Sequence, residues 1–215
     1  MIRIVAVSGY KNSGKSTLCR RLLEELRGLG VRTGYIKRTS EDAVASSNVT
    51  DTGSVLDMGF TSVLWGNDGV RLESKSEALS PHHIAARYFP DSELLIMEGG
   101  KDISVPKIWV RTEGEAVPDY PGIFMVYDRF GVSDGKTVFG VGSEAEMAKR
   151  LASLVRGRSY RSSRIYIGDR PLPMKDFIAD FIRGGIIGML ASLKGGKVLS
   201  EPVRIYLDAS KKNDN

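Results

Sequence analysis

Gly9-Tyr10-Lys11-Asn12-Ser13-Gly14-Lys15-Ser16-Thr17 reads G-x-x-x-x-G-K-[ST] without a mismatch, which is the spacing of a phosphate-binding P-loop. The run before it, Ile2 to Ser8, is apolar and β-branched enough for a buried parallel strand, and leucines at helical spacing come after it. Strand, loop and helix therefore stand in the order the motif needs. Gly9 and Gly14 let the backbone turn tightly and approach an anion, so that successive N–H groups converge on phosphate oxygens. The helix start adds its unsatisfied donors and the positive end of its dipole. In this arrangement Lys15 reaches the β and γ phosphates as a point charge, and the Ser16 hydroxyl ligates a Mg²⁺ that bridges them. The whole segment Gly9 to Thr17 is the candidate nucleotide site, with Lys15 as its catalytic cation.

Working outward, Leu18, Cys19, Leu22, Leu23, Leu26 and Leu29 mark one face of a helix, which Gly28 and Gly30 end. Val31 to Lys37 comes next as a second strand, and strand, helix, strand at this spacing predicts a parallel pair joined by a right-handed crossover. Lys37 and Arg38 emerge at the C-terminal end of that strand, the edge where open parallel sheets bind ligands. They read equally as contacts for a second anionic group and as exposed loop charges. Residues 39 to 53 are small and polar, a loop expected to be mobile over the site. Asp51 or Thr52 is expected to cap a short helix through Met58; Asp51 could instead join the metal shell, but the N-cap is the cheaper explanation.

Further strands are expected at Thr61 to Trp65 and Val70 to Ser74, and a helix from Pro81 to Phe89. His82 and His83 are neighbours, so they point different ways on a helix and make a poor metal pair. Glu93-Leu94-Leu95-Ile96-Met97-Glu98-Gly99-Gly100-Lys101 has the form of a Walker B strand ending in a carboxylate. Glu98 in that place orients a Mg²⁺-bound water or takes a proton from a nucleophile. Lys107 to Arg111 and Ile123 to Tyr127 continue the sheet. Ser143-Glu144-Ala145-Glu146 is a capping box that opens a helix ending by Gly157.

These elements predict an α/β fold, a P-loop three-layer sandwich with a mostly parallel sheet, over residues 1–157. Residues 158–163 read as a linker, and 164–210 as a small β-α-β extension. Its strands are expected at Arg164 to Gly168 and Val203 to Leu207, flanking a helix from Phe177 to Leu193. Residues 211–215 are expected to be a disordered tail.

The 215 residues carry 41% hydrophobic and 27% charged side chains, an ordinary globular balance. No apolar run approaches the ~18 residues a bilayer span needs, and no signal-peptide zones open the sequence, so a cytoplasmic location without membrane association is expected. The single Cys19 excludes an intramolecular disulfide and a multi-cysteine metal site. The net charge of +5 suits an anionic ligand. The densest basic stretch, from Lys149 to Arg164, has little aromatic interleaving, so it reads as a solvated helix end and linker, and no nucleic-acid partner is expected.

The P-loop, Gly34-Tyr35-Ile36-Lys37-Arg38, Asp51-Thr52 with Gly59-Phe60, Met97-Glu98-Gly99-Gly100-Lys101 and Pro106-Lys107-Ile108 together resemble, in order, the GTP-binding adaptor B family of molybdopterin-guanine dinucleotide biosynthesis. The likeness spans roughly residues 1 to 112, departing at Arg38, where the family usually has His, and at Glu93, where it has Asp. It implies a dimeric P-loop protein with weak GTPase activity that binds GTP and Mg²⁺. Such a protein assists the molybdenum cofactor guanylyltransferase that attaches GMP to molybdopterin. By position, Glu98 stands near Mg²⁺, and Lys37, Lys101 and Lys107 would contact nucleotide or pterin phosphate. A P-loop small-molecule kinase with Glu98 as base is the alternative from another class. No Asn-Lys-x-Asp guanine motif occurs, so GTP over ATP is implied by the resemblance alone.

Overall fold

The structure is a computed structural model that describes residues 2–39, 45–75, 80–131, 133–134, 136–156, 163–168, 170–193 and 203–207. The chain divides into two units. The larger runs from the N-terminus through the fourth helix and takes in residues 166 to 171; the smaller holds the fifth helix and the residues C-terminal to it.

The larger unit is built on β1 (Arg3–Ser8), α1 (Lys15–Gly28), β2 (Thr33–Lys37), α2 (Asp51–Asp57), β3 (Ser62–Gly66), β4 (Gly69–Glu73), α3 (Pro81–Tyr88) and β5 (Leu94–Glu98). β6 (Lys107–Arg111), β7 (Ile123–Asp128), β8 (Val138–Gly140) and α4 (Glu144–Arg156) complete its main body. Among the described residues six strands form one sheet in the order β2-β5-β1-β6-β7-β8, with every neighbouring pair parallel. The P-loop strand β1 thus lies between β5 and β6, where the order reverses, and the site falls at that switch point.

Alternation along the strands sorts the core into two faces. Val5, Val7, Leu94, Ile96, Ile108 and Val110 pack against Leu18, Cys19, Leu22 and Leu26 of α1 and Met147, Ala148, Leu151 and Ala152 of α4. Ile4, Ala6, Leu95 and Met97 turn the other way onto Ala85 of α3 and the adjoining Phe89. Two helical layers on a parallel sheet are the three-layer sandwich expected.

Several local expectations change. Residues 62–66 and 69–73 do not join the main sheet; they pair antiparallel as a separate hairpin, because so short a connection cannot make a parallel crossover. Thr50, rather than Asp51 or Thr52, caps α2: its hydroxyl accepts from the Gly53 N–H at 3.1 Å. β8 had no signal of its own in the sequence. In the expected extension, β9 (Tyr166–Ile167) and β10 (Arg170–Pro171) form a short antiparallel hairpin that belongs to the larger unit. α5 (Asp176–Ala191) is where the periodicity put it. Residues 203–207 join no ladder among the described residues, since the apolar run there meets no neighbouring strand edge, and Tyr206 and Leu207 are exposed. Residues 40–44 of the expected mobile loop, most of the linker, and the tail lie outside the described residues.

Candidate functional site: a P-loop with a clamped carboxylate

α1 starts at Lys15 with Gly14 at its N-cap in the left-handed region (φ 95°). No side chain caps this helix and no acidic residue stands in its first turn. Its opening N–H donors are thereby left to a ligand, at the positive end of the dipole. The two motif glycines are required by space. A Cβ on Gly9 would stand 2.6 Å from the Val110 carbonyl oxygen and 2.7 Å from Ser13 Oγ, and one on Gly14 would press on Arg129 Cδ at 3.1 Å. Ser13 Oγ is fully buried inside this turn and has no hydrogen-bond partner among the described residues. An orphaned hydroxyl in a tight loop of amides suits a bound anion and its water shell.

Lys15 Nζ donates to the Tyr10 carbonyl at 2.5 Å across the loop. Burial lowers the ammonium's pKa; Glu98 opposes that shift, while Lys101 and Lys37 add to it. Lys37 and Lys101 therefore both act on Lys15, and this gathering of positive charge beside Glu98 suits a phosphate.

Glu98 ends β5 and is 6% exposed. Its Oε1 accepts from the Ser16 hydroxyl at 2.7 Å and its Oε2 from the Tyr35 hydroxyl at 2.6 Å. Lys37 Nζ stands 4.0 Å from Oε1. Burial alone would raise this carboxyl's pKa, but the bonds from Tyr35 and Ser16, with the charges of Lys37 and Lys15, bring it below the usual value. Ser8 Oγ donates to the Gly99 carbonyl at 2.9 Å and ties the end of β1 to the turn after Glu98.

One hydroxyl and one carboxylate at the mouth of a phosphate loop suit Mg²⁺, a hard cation that keeps several waters and takes its remaining ligands from phosphate. No group of three or more His, Cys, Asp and Glu that could hold a metal gathers among the described residues, so no all-protein cage is offered. Ser16 and Glu98 are the residues that would hold the ion.

The other expected contacts fare differently. Lys101 stays beside the loop, its Nζ 5.8 Å from the centroid of the Tyr10 ring. Arg38 pairs with Asp102 at the surface. Asp51 is exposed at the first position of α2, and no contact among the described residues links it to Ser16 or Glu98. Lys107 does not reach the loop. Its side chain is fully buried and its ammonium donates to the carbonyls of Ile103 (2.5 Å), Val105 (3.1 Å) and Pro121 (2.9 Å). The phosphate contact expected of Lys107 is corrected to a structural role, because a buried ammonium with three acceptors has no donor to spare.

Sequence reading passed over Tyr35 and Arg129. Tyr35 stands two residues before Lys37, so both side chains leave the same face of β2. Arg129 comes directly after β7, at the same sheet edge as the P-loop, and its Nη1 donates to the Ser13 carbonyl at 3.4 Å. The position of Arg129 after a strand was the available signal.

Residues 4–121 match the family model for MobB, molybdopterin guanine dinucleotide synthesis protein B. The chain belongs to the MobB family. Its place is therefore in molybdenum cofactor biosynthesis. It is similar to the molybdopterin-guanine dinucleotide biosynthesis adapter protein of Haemophilus influenzae, 24% identical over 120 residues, covering 54% of this chain and 67% of that one. A putative adapter protein of the same name from Methanocaldococcus jannaschii is 21% identical over 246 aligned residues, covering 98% of this chain and 99% of the relative. The crystal structure of Bacillus subtilis MobB superposes with a TM-score of 0.55 at 20% identity, covering 73% of this chain and all of the other. The MobB fold thus accounts for about three-quarters of the chain.

Proposed function

We propose that this MobB-family chain binds GTP with Mg²⁺ in the Gly9 to Thr17 loop, hydrolyses it slowly, and serves as an adaptor to the guanylyltransferase that joins GMP to molybdopterin. The observation that carries the reading is the uncapped first turn of α1 facing the Ser16–Glu98 pair, a phosphate cradle and a cation seat side by side. Lys15 would leave the Tyr10 carbonyl for the β and γ phosphates, which are stronger acceptors because they are charged. Arg129, held against Ser13 and Gly14, is placed to meet the nucleotide from the β7 side. Lys37 and Lys101 remain available to a second anion such as a pterin phosphate. The homodimer that the family resemblance implies finds support in the apolar β3–β4 hairpin, where Val63, Leu64, Trp65 and Val70 are all exposed.

Glu98 also separates this reading from a kinase. A general base works best with a pKa near the operating pH, whereas this carboxylate is hydrogen-bonded on both oxygens and held below the usual carboxylate value. It is suited to orienting an ion and its water, which fits slow hydrolysis better than phosphoryl transfer to an organic hydroxyl.

The test is a titration with GTP and ATP in Mg²⁺, with Lys15→Ala as control. A dissociation constant on the order of micromolar for GTP, weaker binding of ATP, and loss of both in the variant are expected. Equal affinity for the two nucleotides refutes the guanine assignment. Glu98→Gln should bind GTP and fail to hydrolyse it.

A further inference from the structure

The phenol of Tyr35 reaches the site from a strand that carries no part of the P-loop. β2 and β5 run in register, Tyr35 opposite Ile96 and Lys37 opposite Glu98. Ile96 belongs to the core on the α1 face, so Glu98, two residues on, faces α1 as well, and so does Tyr35 beside Ile96. The tyrosine ring leans along its strand and bonds Glu98 Oε2 at 2.6 Å, while Ser16 from α1 bonds Oε1 at 2.7 Å. Each oxygen of one carboxylate is thus claimed by a different element.

The consequence falls on Ser16. A hydroxyl has one hydrogen and two lone pairs. With its hydrogen spent on Glu98, the Ser16 oxygen offers only lone pairs to whatever enters the loop mouth, which is the state a cation needs. That orientation lasts only as long as the carboxylate stays in place. One hydrogen bond fixes a single oxygen and leaves the group free to swing about it; the second bond, from Tyr35, removes that freedom. Lys37 is a poorer substitute, since its Nζ is 4.0 Å away and its side chain is 63% exposed.

We propose that Tyr35 is a positioning residue for the cation site, acting through Glu98 to set the Ser16 hydroxyl. The proposal rests on the nucleotide reading above. Tyr35 touches neither the nucleotide nor the ion. Its effect is confined to binding that depends on the metal. Outer partners of metal ligands commonly contribute about 10-fold to 100-fold in affinity, and an indirect partner belongs at the lower end.

The experiment measures binding of a fluorescent GTP analogue to the full chain in EDTA and again in Mg²⁺, for wild type and Tyr35→Phe. Direct Mn²⁺ titration followed by electron paramagnetic resonance supplies the metal affinity of each nucleotide complex. The variant keeps the ring and loses only the hydroxyl, and its melting temperature shows whether packing is intact. Expected is an unchanged affinity in EDTA, an increment from Mg²⁺ reduced about tenfold, and Mn²⁺ held correspondingly less tightly. A full metal increment in Tyr35→Phe overturns the proposal. So does an equal loss with and without metal, which marks Tyr35 as part of the loop's packing. A wild type that binds the analogue without any metal increment, or not at all, overturns the nucleotide reading itself and the role of Tyr35 with it.

Discussion

Replacing Lys107 by methionine separates a buried strut from a phosphate contact. The family likeness implies that this lysine touches phosphate, while the structure shows its ammonium gripping three main-chain carbonyls. Methionine keeps most of the stem's volume, so little cavity opens. Three buried acceptors then lose their donor, at about 1–3 kcal/mol each. Against this stands the release of a charge from the interior, whose desolvation costs several kcal/mol per ion. The balance is a net loss of about 2–4 kcal/mol, which at a urea slope near 2–3 kcal/mol/M lowers the unfolding midpoint by about 1 M. The segment through Ile103 and Val105 would come away from the turn at Pro121. GTP affinity, extrapolated to the folded fraction, should stay within about twofold, since no part of the P-loop depends on these bonds. A variant with the wild-type midpoint and sharply weaker GTP binding would refute this account and return Lys107 to the ligand.

Two further outcomes are expected. Gly14→Ala puts a Cβ against Arg129 on backbone at φ 95°, so stability should fall by about 1–3 kcal/mol and nucleotide binding should weaken. Unchanged thermal melting and affinity would show that the loop relaxes without cost. Tyr127→Phe removes the phenol that donates to Glu144 Oε1 at 2.6 Å beside Arg21. Burial pushes the Glu144 carboxyl up, but those two bonds hold it below its ordinary 4.5. A depressed carboxyl stabilises the fold above the unfolded value, and that contribution is lost as pH falls through the depressed one. Without the phenol the folded value rises and the window narrows, so acid unfolding followed by circular dichroism should begin at higher pH; an unmoved midpoint argues against the coupling.

Most of the larger unit was legible because its signals are local. The P-loop carries its own geometry, α1 announces itself by its helical period, and β1, β5 and β6 by short apolar runs. What was lost depends on pairing across the chain. Residues 62–66 and 69–73 look like any two strands until their short connection is weighed, and that connection forces a hairpin. β8 has only three residues, too few for a period to show. Residues 203–207 have strand composition, yet composition cannot supply a neighbour, and among the described residues no strand ladder takes up their N–H and C=O groups.

The site divides in the same way. Lys15, Ser16 and Glu98 were readable because their chemistry is tied to a motif, whereas Tyr35 and Lys107 take their roles from what lies across the fold. Lys107 carries a charge that invites a phosphate, but burial between two turns decides against it. Tyr35 carries none and would pass as strand filler, but the register of β2 against β5 brings its hydroxyl to the carboxylate of Glu98. Charge in a sequence therefore overstates ligand contacts and understates the uncharged groups that orient them. In this chain the residue that reaches Glu98 from β2 with the shorter contact is a phenol, with the lysine two positions on standing farther off.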